Sequence, residues 1–114
     1  VRLCDVYPDG SSMNITEGIL RGRFRDRGWN RPELMQPDEV YEMRISLQPT
    51  SNVFKRGHRL RLHVTSSSFP LWGPNQNTGN DPATDQEWRT ADQTVYHGGA
   101  RVSSITLPVI PSAD

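Results

Sequence analysis

The sequence predicts an all-β fold, an antiparallel sandwich of two sheets, and three observations carry that prediction. Residues 40–47 and 58–66 alternate apolar and polar side chains with a period of two, as strands with one dry and one wet face do. Other stretches rich in β-branched and aromatic residues are punctuated by Gly and Pro at turn positions. Apolar residues at one-face spacing recur on roughly six such stretches, more than one sheet buries, and two packed sheets are the simplest closed solution.

Residues 1–7 (VRLCDVY) form the first expected strand. Pro8-Asp9-Gly10 then supplies a fixed φ followed by a residue that accepts the left-handed region, so a hairpin into residues 12–16 is expected. Met13 and Ile15 share one face of that second strand. After Gly18 a third strand is expected over 19–25, with Leu20 and Phe24 on one face and Arg21, Arg23 and Arg25 on the other. Residues 26–38, broken by Gly28, Pro32 and Pro37, read as a crossover loop pinned by Trp29, Leu34 and Met35.

Two further strands are expected over 40–47 and 58–66. In the first, Tyr41, Met43, Ile45 and Leu47 alternate with Glu42, Arg44 and Ser46; in the second, Leu60, Leu62 and Val64 alternate with Arg59, Arg61, His63 and Thr65. Residues 48–57 connect them, anchored by Val53 and Phe54, with Gly57 supplying a special backbone angle. Residues 67–92 form a long loop, and such a loop in a compact domain is functional or held against something else. Phe69, Leu71, Trp72 and Trp88 give it anchors that a disordered linker lacks. Strands are expected again at 94–97 and 101–109, on either side of Gly98-Gly99. No internal repeat or low-complexity tract is evident.

A chain of 114 residues suffices for one small domain, residues 1–114. Its mean hydropathy of -0.70 is low for a self-contained domain and suits a piece whose partner strands lie elsewhere. Val1 falls inside an expected strand rather than in a polar linker, so the chain reads as a piece of a larger protein. The formal net charge is 0, which gives no general attraction to nucleic acid or to an acidic membrane. Cys4 is the only cysteine, which excludes an internal disulfide and favours a reducing, cytoplasmic setting. No apolar run has membrane-spanning length, and no signal-peptide pattern is present.

Each possible catalytic or ligand site has a plainer reading. Ser66, Ser67 and Ser68 lie near His63 in sequence, but no G-x-S-x-G elbow exists, so they read as a polar strand end. His58, His63 and His97 form no short zinc-binding spacing. Asp5 and Asp9 near Asn14, or Asp81 and Asp85 near Asn80, offer calcium-type oxygens without a recognised loop spacing. Arg21, Arg23, Arg25, Arg44, Arg59 and Arg61 read as solvent-facing strand residues or as a face that packs on another domain. Trp29, Trp72, Trp88, Tyr7 and Tyr96 make an independent carbohydrate-binding β-sandwich module the main alternative. Asn14-Ile15-Thr16 matches an N-glycosylation acceptor, a short pattern that needs secretion to matter. No catalytic, cofactor-binding or metal-binding residue is assigned, and no cofactor is expected.

Three segments carry a resemblance. Leu3-Cys4-Asp5-Val6-Tyr7-Pro8-Asp9-Gly10 is followed by Asn14-Ile15-Thr16-Glu17-Gly18-Ile19-Leu20-Arg21; then comes Pro49-Thr50-Ser51-Asn52-Val53-Phe54-Lys55-Arg56-Gly57-His58-Arg59-Leu60-Arg61-Leu62; then Ser66-Ser67-Ser68-Phe69-Pro70 with Asn75-Gln76-Asn77-Thr78-Gly79. In order and spacing these resemble the C-terminal domain of the X-Pro dipeptidyl-peptidase and cocaine esterase group of serine hydrolases. The resemblance implies a jelly-roll domain that packs against an α/β-hydrolase domain of the same parent chain. That hydrolase domain carries the Ser-Asp-His triad and acts on X-Pro peptides, acylated β-lactam side chains or aromatic esters. The jelly roll contributes none of the triad, and no triad motif maps onto residues 1–114. The family jelly roll begins with strands upstream of the position of Val1, so the resemblance implies that the domain lacks its N-terminal strands, and unpaired sheet edges open the possibility of self-association.

Overall fold

The hairpin expected at Pro8-Asp9-Gly10 seeds the one continuous sheet. A computed structural model describes residues 1–26 and 28–111. β1 (Arg2–Val6) and β2 (Ser12–Glu17) pair antiparallel across this turn, and β3 (Arg59–His63) pairs antiparallel with the other side of β1. The sheet order is therefore β2-β1-β3. The turn closes through the Gly10 N–H donating to the Tyr7 carbonyl at 2.9 Å, with Gly10 at φ 90°. Asp9 Oδ1 accepts both the Ser11 N–H and the Ser11 hydroxyl, at 2.9 and 2.7 Å, which locks the turn by local side-chain bonding.

β1 is the centre of the fold, and Leu3, Cys4, Asp5 and Val6 are its buried residues. Opposite β2 the register shifts between Leu3 and Cys4: Leu3 faces Thr16, Cys4 faces Asn14, and Ile15 is the extra residue of a bulge. Opposite β3 the register is regular, with Leu3 facing Leu62 and Asp5 facing Leu60. Leu60 and Leu62 thus share the Leu3 face, while Arg59, Arg61 and His63 share the face of Cys4 and Val6.

Other expected strands are corrected by the structure. In 19–25 the chain instead makes a 3-10 turn, Gly22–Phe24, closed by the Phe24 N–H on the Arg21 carbonyl at 2.8 Å. The Met35 sulfur lies so close to Gly22 that any Cβ there would collide with it, and this contact holds the tight turn. Residues 40–47 form no ladder among the described residues. One rung is present where they end: the Gln48 N–H donates to the Glu17 carbonyl at 3.2 Å, and the Thr16 hydroxyl donates to the Gln48 carbonyl at 2.7 Å. Tyr41, Ile45 and Leu47 are nonetheless the more buried residues of the stretch. The alternation identified the faces correctly, whereas a strand also requires a hydrogen-bonding neighbour, which alternation does not report.

Residues 94–97 and 101–109 likewise carry only the isolated bridge between Gly98 and Arg101. The turn expected at Gly98-Gly99 is present, with Gly99 at φ 65°. The strand expected over 58–66 is shortened to Arg59–His63 and is preceded by a turn with Gly57 at φ 86°. The described chain is thus all-β in character with a small antiparallel sheet, from which the long connectors hang.

Candidate functional site

Two polar clusters fasten those connectors to β1. The first joins the 48–58 connector to the sheet. His58 Nδ1 lies 2.9 and 3.0 Å from the two carboxyl oxygens of Asp5, and the two side chains are only 8% and 5% exposed. The Tyr7 ring packs on the imidazole at 4.4 Å between centroids. A buried acid beside a histidine is the orienting half of a hydrolytic triad, but no serine hydroxyl bonds this imidazole among the described residues. The arrangement ties two segments together.

The second cluster ties down the 67–92 loop. Arg2 Nε and Nη2 donate to Glu17 Oε2 at 3.1 and 2.9 Å, Arg2 Nη2 also donates to Ser68 Oγ at 2.9 Å, and the Ser68 hydroxyl donates to Glu17 Oε2 at 3.2 Å. Ser68 is therefore held by an ion pair rather than by His63, which sits on β3 opposite Arg2. Further along, the loop is organised by its own short polar side chains. The Thr78 hydroxyl donates to Asp85 Oδ2, and the Glu87 N–H donates to Asp85 Oδ1 at 3.0 Å. These bonds, the Thr78 hydroxyl first, hold the Asp85 carboxyl below the usual carboxylate range. Asp9 is shifted down in the same way, chiefly by the Ser11 hydroxyl.

The arginines of 19–25 act as clamps on loop carbonyls. Arg21 Nη2 donates to the Gly73 carbonyl at 3.4 Å, and both Nη atoms of Arg23 donate to the Asn80 carbonyl at 3.2 Å. Arg25 Nη1 donates to the Glu33 carbonyl at 2.8 Å and its guanidinium stacks on Tyr41 at 4.2 Å. Sequence reasoning gave these residues to a solvated strand face. A guanidinium has five donors in a rigid fork, and here the curled segment turns those forks toward free carbonyls. Arg59 and Arg61 remain exposed on β3, as expected.

Among the described residues, no three His, Cys, Asp or Glu side chains gather to hold a metal ion. His58 is committed to Asp5, Asp9 to Ser11, and Asp85 to the loop's own donors. Asn14 accepts from the Cys4 thiol at 3.4 Å across the sheet. No helix among these residues is long and apolar enough to cross a membrane.

Two clefts remain. One, of about 230 Å³, lies between Ile19, Leu20, Phe24, Trp29 and Trp72, with Trp29 stacked on Phe24 at 4.5 Å. The other, a groove of about 610 Å³, runs between Leu3 and Ile15 of the sheet, the 50–54 connector and residues 107–110. The groove's far wall is nearly free of contacts, with Val109 81% and Ile110 92% exposed. Among the described residues the arrangement offers apolar surfaces.

The family described as "X-Pro dipeptidyl-peptidase C-terminal non-catalytic domain" matches residues 1–106. A cocaine esterase from Rhodococcus sp. (strain MB1 Bresler) is 41% identical over 111 residues, which is 96% of this chain and 19% of that protein. The chain thus spans about a fifth of the length of this relative. No solved structure matches.

Proposed function

The chain belongs to the family of X-Pro dipeptidyl-peptidase C-terminal non-catalytic domains, and from that membership we propose that it packs as an accessory domain on the α/β-hydrolase domain of a serine peptidase, esterase or acylase. The parent activity we assign is X-Pro dipeptidyl-peptidase or acyl ester and amide hydrolysis, and the triad belongs to the hydrolase domain. Residues 1–114 make a single accessory domain with no catalytic, cofactor or metal residue of its own. In the assembled protein its segments complete a jelly-roll sandwich.

One observation carries this reading. The chain exposes 9781 Å², whereas a compact monomer of 12.9 kDa exposes about 6,300 Å². The excess includes apolar side chains of Val53 and of Leu107 to Ile110 along this groove, and exposed apolar patches mark interaction surfaces. Docking on a hydrolase domain removes that surface from water. Self-association, where it occurs, uses an unpaired sheet edge. The unpaired, buried Cys4 supports placement in a reducing, cytoplasmic compartment.

The sugar-binding alternative rests on the exposed Trp29 and Trp88, at 79% and 63%, and on Trp72 beside Trp29. Sugar recognition needs polar donors beside the aromatic platform, and in this cleft Arg21 already donates to the Gly73 carbonyl. The accessory reading is therefore preferred. Its test is turnover of p-nitrophenyl esters and X-Pro-p-nitroanilides by the purified chain and by the parent protein. The parent is expected to turn over one substrate class and the chain neither. Turnover by the chain that phenylmethylsulfonyl fluoride abolishes overturns the reading.

A further inference from the structure

Two methionines converge on Gly22, the residue that opens the curled turn at Gly22–Phe24. The Met35 sulfur sits where a Cβ would stand, and the nearest atom of Met43 is its Cε methyl, 3.6 Å from that point. Met35 lies in a short segment stitched to the turn on both of its sides. The Glu33 N–H donates to the Arg23 carbonyl at 2.8 Å, and the Glu33 carbonyl accepts from Arg25 Nη1 at 2.8 Å. One residue after Met35, the Gln36 N–H donates to the Tyr41 hydroxyl at 3.0 Å, and the Tyr41 ring carries the Arg25 guanidinium. The turn also holds the long loop, through Arg21 on the Gly73 carbonyl and Arg23 on the Asn80 carbonyl. Met35 is 41% exposed. The residue is thus packed against the turn and also reachable from solvent.

We propose that Met35 is an oxidation site whose sulfoxide unfastens the 22–24 turn and, through the arginine clamps, loosens residues 67–92, a hydroperoxide being the oxidant. The sulfur lone pair attacks the terminal peroxide oxygen, and an S–O bond forms as the O–O bond breaks. The peroxide proton leaves with the departing oxygen as water or an alcohol. Sulfur loses two electrons and the peroxide gains them. A flexible apolar side chain becomes a polar, chiral one. Keeping that sulfoxide against Gly22 and the Met43 methyl withholds its oxygen from water, a cost that swinging the side chain outward relieves. The thioether is then lost as the filler over Gly22. A sulfoxide reductase reverses the step, oxidising a dithiol to a disulfide and releasing the oxygen as water. Met13 supplies the internal comparison. It is 55% exposed on β2, opposite Asp5, and takes no part in the clamps, so its oxidation leaves the loop as it is. The inference stands apart from the accessory-domain reading.

The test treats the parent protein with graded hydrogen peroxide and maps the added oxygen by peptide mass spectrometry. Amide exchange is then followed in the peptides covering 22–36 and 67–92. Oxygen at Met35 is expected to speed exchange there by about three- to tenfold, the lower range for an uncompensated polar group at a packed site. Sulfoxide reductases with a thiol are expected to restore the original rates. Met35→Leu keeps an apolar side chain of similar volume and is expected to abolish the response, whereas Met13→Leu retains it. Met35→Gln places a polar group at the same point without peroxide and is expected to speed exchange by itself. Three results overturn the proposal: no oxygen at Met35 at a dose that oxidises Met13, unchanged exchange once Met35 is oxidised, or an equal response in Met35→Leu. Unaltered exchange in Met35→Gln overturns it as well. Whether the chain accompanies a hydrolase is decided separately, by the turnover assay.

Discussion

Asp5 and His58 are the pair on which β1 and its neighbouring connector most depend. Both are nearly buried, and a buried hydrogen-bonding group that loses its partner is left unsatisfied. Asp5→Ala is therefore expected to cost about 1–3 kcal/mol in urea unfolding. Replacing both with packed apolar residues, Asp5→Leu with His58→Phe, is expected to recover most of that loss. If the single and double changes cost the same, the pair itself is not what matters. Asp85 makes a different prediction. Its folded-state value lies below the ordinary 3.8, so its hydrogen bonds stabilise the loop above that pH. That contribution vanishes as pH falls through the lowered value. Thr78→Val is expected to move the Asp85 titration, followed by carboxyl NMR, back up toward the ordinary value. Cys4, fully buried against Asn14, is expected to resist a thiol reagent until the sheet unfolds.

At the scale of elements, the sheet depends on close backbone approach as much as on pairing. Gly18 ends β2 with its N–H on the Val1 carbonyl at 2.9 Å, and a Cβ there would run into the Ser46 carbonyl oxygen. Gly18→Val is expected to cost about 1–3 kcal/mol in the same unfolding measurement, with strain spread into 46–48. The hairpin at Pro8-Asp9-Gly10, the Gly57 turn and the strand at 59–63 were legible in the sequence because each is encoded locally, in turn chemistry or in period-two alternation. Residues 40–47 and 101–109 were misread as ladders because pairing is a property of two segments, and only one of them is in view when a pattern is read. The 19–25 stretch failed for another reason: the clamps from Arg21, Arg23 and Arg25 to loop carbonyls are tertiary, and no spacing announces them. The Asp5–His58 pair was also missed as a unit, since its members lie 53 residues apart.

For the whole molecule, the radius of gyration is 16.9 Å, against about 13.3 Å for a compact domain of this length. A chain this open, with Leu3, Cys4 and Val6 as its buried apolar residues, gains stability from whatever covers its apolar walls. The low mean hydropathy already pointed to that condition, and the family membership gives it a functional sense: a domain that supports chemistry performed elsewhere. The most direct measurement is calorimetric titration of this chain into the hydrolase portion of its parent protein at several temperatures. Saturable one-to-one binding with a negative heat-capacity change, the mark of apolar burial, is the expected result. Absence of binding, or binding with no heat-capacity change, contradicts the account.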